Sequence, residues 1–238
     1  MTRPDLAEGV SKLSQFLQNP SKKHQSEIFR LIAHCYQYRD HALMFGDLDH
    51  QAEDACTAYT DASFGNPPDR RSFQGHIFFV LGSPVFWRAS KQPTVATSTT
   101  DAELLSLSAR SKGLLALERL IHQVGLQLPS EVTHHVRCDN AQTVGIVNKN
   151  GLKINTNLRH VDIQQHWLRE AQKEKKIKVS WISTEEMIAD GLTKAFGSEK
   201  QETFRKALKM VPLSSLTHMK LASKSPRPPG TDLQQGKK

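Results

Sequence analysis

Apolar side chains recur every three to four residues in two stretches near the N-terminus. Leu6, Val10, Leu13 and Leu17 fall on one stripe, and Ile28, Leu31, Ile32 and Cys35 on another, which predicts two helices. Asn19-Pro20 separates them, with Asn19 placed to cap the second helix and Pro20 at its first position. Leu43-Met44-Phe45-Gly46 closes this part, and the acidic stretch 47–54 reads as a linker. Alternation then replaces the helical period. Residues 57–63, 73–81 and 85–89 predict three antiparallel strands, broken by Asn66-Pro67-Pro68-Asp69 and Gly82-Ser83-Pro84. A helix is expected over 99–124, stopped by Gly125, and then a strand over 132–138 and a short helix over 141–147. After a polar loop at 148–157 come a helix (158–173), a strand (178–183) and two helices (187–196 and 200–210). The order β-β-β-α-β-α-α-β-α implies an α/β fold with a five-stranded mixed sheet, strand order 3-2-1-4-5, and helices on both faces. Residues 214–238, rich in Ser, Pro, Lys and Gly, are expected to lack fixed structure.

Charge narrows the classes of partner. Thirty-two Lys and Arg against 24 Asp and Glu leave a net charge of +8, which favours a polyanionic partner. Part of the excess sits in the tail, where Lys220, Lys224, Arg227, Lys237 and Lys238 face Asp232 alone. No apolar run is long enough for a membrane helix, and the N-terminus has no apolar signal region. Cys35, Cys56 and Cys138 lack metal-type spacing and read as reduced thiols of an intracellular protein, cytoplasmic or nuclear.

Four acids stand out by position. Asp61 lies in a strand, where Asp is depleted. The helical stripe from Glu103 runs through Leu107, Leu114, Leu117 and Ile121, so Glu103 shares the core-facing side of its helix. A carboxylate there is costly unless paired or bound to a cation. Asp101, about 200° round the same helix, is expected to face solvent or cap. Asp139 ends a strand just before a helix, where α/β sheets place their sites and where an Asp also serves as an N-cap. Asp190 falls on the exposed side of an α-helix over 187–196. Convergence of Asp61, Glu103 and Asp139 within about 6 Å, with Asp190 at the rim, would suit divalent cations with oxygen ligands.

These residues resemble the ribonuclease H domain of copia-type retrotransposon Pol polyproteins. The matching segments are Tyr-Thr-Asp-Ala-Ser (59–63), Asp-Arg-Arg-Ser (69–72), Ser-Lys-Gln-Pro-Thr-Val-Ala (90–96), Ser-Thr-Thr-Asp-Ala-Glu (98–103), Cys-Asp-Asn (138–140), Arg-His-Val-Asp-Ile (159–163) and Ala-Asp-Gly-Leu-Thr-Lys (189–194). Thr-Arg-Pro-Asp (2–5), Leu-Ser-Gln-Phe-Leu-Gln-Asn-Pro (13–20) and Leu-Met-Phe-Gly (43–46) resemble the end of the same family's reverse transcriptase. The resemblance implies a reverse-transcriptase remnant at 1–50, a ribonuclease H-like domain at 54–196, a C-terminal helix at 197–213 and a basic tail at 214–238. It makes Asp61, Glu103, Asp139 and Asp190 the ligands of two Mg²⁺ or Mn²⁺ ions that cleave the RNA strand of an RNA–DNA hybrid. Arg71, Lys91, Asn140, Arg159 and His160 are the candidate nucleic-acid contacts, and the polymerase part of a reverse transcriptase is a second expected partner. Arg70, Lys149 and Lys153 could also meet phosphates.

The match has departures. Cellular ribonucleases H carry a His in the loop before the last Asp, and here the residues between Ser183 and Asp190 offer only Thr184, Glu185 and Glu186 as polar candidates. Asp139 and Glu174 have the 35-residue spacing of an integrase pair, but Glu174 precedes the last strand of the sheet instead of following it. The remaining alternative is a relic that binds nucleic acid without cutting.

Overall fold

The computed structural model describes residues 2–45, 55–65, 69–126, 128, 134–148 and 159–216. Its elements are α1 (Ala7–Leu13), α2 (Lys22–Gln37), β1 (His41–Leu43), β2 (Cys56–Ser63), β3 (Phe73–Val80), β4 (Ser83–Lys91), α3 (Thr99–Gln123), β5 (His134–Cys138), α4 (Ala141–Asn148), α5 (Arg159–Lys173), β6 (Ile177–Trp181), α6 (Ser198–Ala207) and β7 (Met210–Pro212). Five strands form one mixed sheet in the order β4-β3-β2-β5-β6, which is the expected 3-2-1-4-5. The first three run antiparallel, and β5 and β6 join parallel to β2 through helical crossovers.

The main core lies between the sheet and α3, α4 and α5. Leu104, Leu107, Leu114, Val136, Val161 and Leu168 are fully buried there. Helix α3 begins where the Ser98 side chain accepts the Asp101 N–H at 3.1 Å, satisfying a donor that the first helical turn leaves free. It ends at Gly125, whose φ of 78° suits a left-handed helix stop. A second, smaller core on the opposite face joins Ile77, Phe79 and Trp87 to Leu192, Phe204, Leu208 and Met210.

Several expectations change. The second helix starts at Lys22, with Ser21 and His24 capping each other, and not at Asn19-Pro20. Its expected buried stripe is largely in solvent: Ile28, Ile32 and Cys35 are exposed, as are Val10 and Leu17 of the first stripe. The helix expected over 187–196 is a single 3-10 turn, Ile188–Leu192. Two short strands absent from the sequence reading, β1 and β7, pair antiparallel. Residues 214–216 form part of a helical turn; 217–238, the loop 149–157 with Lys149 and Lys153, and residues 132–133 lie outside the described residues. No helix among the described residues is long and apolar enough to cross a membrane.

Candidate metal centre

Asp61 lies near the C-terminal end of β2, and Asp139 directly follows β5. Because β2 and β5 are parallel neighbours, both acids reach the same edge of the sheet. Glu103 enters from the first turns of α3. One oxygen from each of these three carboxylates lies within 4.8 Å of the others, inside the expected convergence distance.

The surroundings fix each acid. The Ala62 N–H donates to Glu103 Oε1 at 3.1 Å, so β2 itself orients the helix carboxylate. Burial, then the nearby Asp61, raises the Glu103 carboxyl well above the usual range. Burial and Asp61 also raise Asp139, while the Thr184 hydroxyl donates to its Oδ2 at 3.1 Å. The cap of α4 is Asn140, whose Oδ1 accepts the Thr143 N–H at 2.9 Å. That leaves the Asp139 carboxylate free of capping and turned to the cluster.

Asp190 is buried, contrary to the exposed position an α-helix would have given it. The 3-10 turn advances about 120° per residue instead of 100°, and so presents a different face. The Thr193 hydroxyl donates to Asp61 Oδ2. Lys194 places its ammonium 2.8 Å from Asp190 Oδ1 and 3.7 Å from Asp61 Oδ2, bridging the fourth acid to Asp61. Burial pushes the Asp190 carboxyl up to about 6 against the opposing pull of Lys194, with Asp61 raising it further. Gly75 on β3 allows this turn to lie against the sheet. A Cβ there would stand 2.6 Å from Leu192 Cβ and 3.0 Å from the Ala189 carbonyl oxygen.

Sequence reasoning missed Thr193 and Lys194, and named Thr184 only as a polar candidate before the last Asp; all three contact the acids. It also placed Asp101 in solvent or at the cap; Asp101 is 1% exposed and accepts from the Thr97 hydroxyl. The residue lies in the first turn of α3, where the preceding loop folds over it. Among the candidate nucleic-acid contacts, Arg71 is exposed, and Lys91 pairs with Asp69 at 3.0 Å. Asn140 is the cap described above. Arg159 is exposed at the start of α5, and the neighbouring His160 has a buried Nε2 with no hydrogen-bond partner among the described residues.

Crowded carboxylates repel one another and are stabilised by a cation. Three hard oxygen donors on one sheet edge, two of them with raised proton affinity, fit a divalent ion of the Mg²⁺ class.

No protein-family model matches the chain. It is 31% identical over 210 residues to the retrovirus-related Pol polyprotein from transposon TNT 1-94 of Nicotiana tabacum, covering 88% of this chain and 15% of that protein. It is 26% identical over 211 residues to the retrovirus-related Pol polyprotein from transposon RE2 of Arabidopsis thaliana, covering 88% of this chain and 14% of that one. The chain therefore spans about a seventh of the length of these relatives. The solved structure of LC11-RNase H1, isolated from compost, aligns over 65% of this chain and 99% of its own, with 18% identity and a TM-score of 0.45.

Proposed function

Because this chain belongs with the retrovirus-related Pol polyproteins of transposons, we propose that it acts as their RNA–DNA hybrid ribonuclease, cutting the RNA strand during reverse transcription. The observation that carries this reading is the gathering of Asp61, Glu103 and Asp139 within 4.8 Å on one sheet edge. In this reading the three hold two Mg²⁺ or Mn²⁺ ions together with Asp190. Bound ions of this kind lower the pKa of a water and offset charge on the leaving 3′ oxygen of the RNA.

The chain's own residues supply position. The Ala62 N–H and the Thr184 hydroxyl hold Glu103 and Asp139 in fixed orientations. Thr193 and Lys194 draw Asp61 and Asp190 together, so the acids are gathered before an ion arrives. Pre-gathered ligands lose less freedom on binding. Arg71, Lys91, Arg159, His160 and the Asn140 segment are assigned to the hybrid, and the polymerase part of the polyprotein would help position it.

The test is cleavage of a labelled RNA–DNA hybrid, with double-stranded RNA and double-stranded DNA as controls. The wild type should cut only the hybrid, and only with Mg²⁺ or Mn²⁺. Asp61→Asn should lower the rate at least about 100-fold while leaving the fold intact, since one crowded carboxylate is gone. No cleavage by wild type, even with Mn²⁺ and excess protein, would sink the nuclease reading and leave a relic that binds without cutting.

A further inference from the structure

On the sheet face that carries α3 lies a cluster of two arginines and a histidine, with no carboxylate among them. His76 of β3 and Arg88 of β4 are direct cross-strand partners, so their side chains leave the sheet on the same face, with Cβ atoms about 5 Å apart. Arg110 of α3 meets the same imidazole from above, its Nη1 3.1 Å from His76 Nε2. A guanidinium can only donate, so Nε2 accepts and the ring proton sits on Nδ1. His76 Nδ1 and Arg110 Nε are both buried and have no hydrogen-bond partner among the described residues. No carboxylate among the described residues pairs with either arginine.

The electrostatics agree with this geometry. Burial, then Arg110 and Arg88, pushes the His76 imidazole down to about 2, so it stays neutral and adds a dipole and no charge. Burial, then Arg88, lowers Arg110 to about 10, so it remains a cation in a poorly solvated place. A desolvated cation without a counter-charge is unfavourable, and an anion relieves it. Arg88 is exposed, which opens the cluster to solvent, and Arg110 is held in place by His76. Two guanidiniums, one fixed and one free to close, suit the planar bidentate recognition of a phosphate.

The location links this cluster to the carboxylates. Thr60, His76 and Arg88 form one row across β2, β3 and β4, and Thr60 precedes Asp61. With strands about 4.8 Å apart, Arg88 stands about 10 Å along the row from Thr60.

We infer that Arg88 and Arg110, braced by His76, form an anion site that takes one backbone phosphate of a polynucleotide lying across the Asp61 edge. The polynucleotide part rests on the function proposed above; the anion site itself does not. Arg88 and Arg110 lie outside the segments that carry the Pol resemblance.

The experiment has two arms. In the first, a labelled RNA–DNA hybrid is bound in EDTA, which prevents cleavage, and its affinity is followed by fluorescence anisotropy from about 50 to 200 mM salt. Arg88→Ala and Arg110→Gln should each weaken binding several-fold and flatten the log–log salt slope by about one. In the second, inorganic phosphate is titrated into ¹⁵N-labelled protein. The amides of residues 76, 88 and 110 should shift in the wild type and stay still in Arg88→Ala. Arg88 is exposed, so its variant keeps the test valid if Arg110→Gln does not fold.

Unchanged hybrid affinity and slope in a folded Arg88→Ala, with phosphate shifting those amides in the wild type and not in Arg88→Ala, would overturn the polynucleotide assignment and keep the anion site. An absence of phosphate-induced shifts in the wild type would overturn the site. A wild type that binds no hybrid at all would count against the proposed function, and the phosphate arm would still decide the site.

Discussion

Lys194 puts one ammonium between Asp61 and Asp190, where the carboxylates crowd. With no ion bound, it is the neighbouring positive charge that offsets their repulsion. Lys194→Met should therefore lower the melting temperature in EDTA by about 2–4 °C, and saturating Mg²⁺ should restore most of the loss. A deficit of equal size with and without Mg²⁺ would show that the lysine stabilises by packing alone. A second carboxylate works in the opposite direction. Burial would raise Asp5, but hydrogen bonds from Arg3 and His34 outweigh it and hold the group at about 2. The folded value lies below the ordinary 3.8, so the stabilisation is fully present above pH 4 and is lost as pH falls through about 2. Asp5→Asn should cost about 1–2 kcal/mol near neutral pH. Urea unfolding of both proteins from pH 7 downward should show the gap narrowing below pH 4, and a constant gap would contradict the assignment.

Among the elements, the 3-10 turn Ile188–Leu192 depends most on a single neighbour. Gly75 leaves no room for a side chain beneath it. Gly75→Ala should cost about 1–3 kcal/mol and, by lifting Asp190, Thr193 and Lys194 off β3, weaken Mn²⁺ binding measured by calorimetry. Unchanged Mn²⁺ affinity would mean that this turn does not set the site. The turn also shows where sequence reading stops. Periodicity assumed 100° per residue over 187–196 and so placed Asp190 in solvent; nothing local announces a 3-10 turn. Glu103 was legible because it shares a stripe with Leu107 and Leu114, both fully buried. Asp139 was legible as a strand-end acid, but its choice between capping and clustering was settled by Asn140, which takes the cap. The two N-terminal stripes misled because amphipathic spacing reports an apolar face and not what covers it. Val10, Ile28 and Ile32 remain exposed among the described residues.

At the scale of the whole molecule, the five-stranded sheet was readable because turns, strand alternation and helix periods all agreed. The small β1–β7 sheet was not, since three residues per strand carry no period. That sheet, the Arg205 guanidinium over the Tyr38 ring at 3.6 Å, and the Gln201 hydrogen bond to the Asp5 carbonyl at 3.2 Å tie the N-terminal helices to α6 and β7. Removal of residues 1–45 should bare the edge of β7 beside Leu208 and Met210, which favours association through the unpaired strand. Light scattering of the shortened protein should show oligomers where the full chain shows fewer, and equal behaviour would mean that the contact is dispensable. The β1–β7 pairing also has a mechanical meaning. His41 faces Pro212 and Leu43 faces Met210, so the chain leading into β1 and the chain leaving β7 depart from the same end of the pair. Tension applied through those two departing segments peels the pair apart bond by bond and does not shear all its bonds at once. Under a steady pull the clasp would yield at low force, ahead of the large sheet between its strands, and act as a fuse for the carboxylate edge.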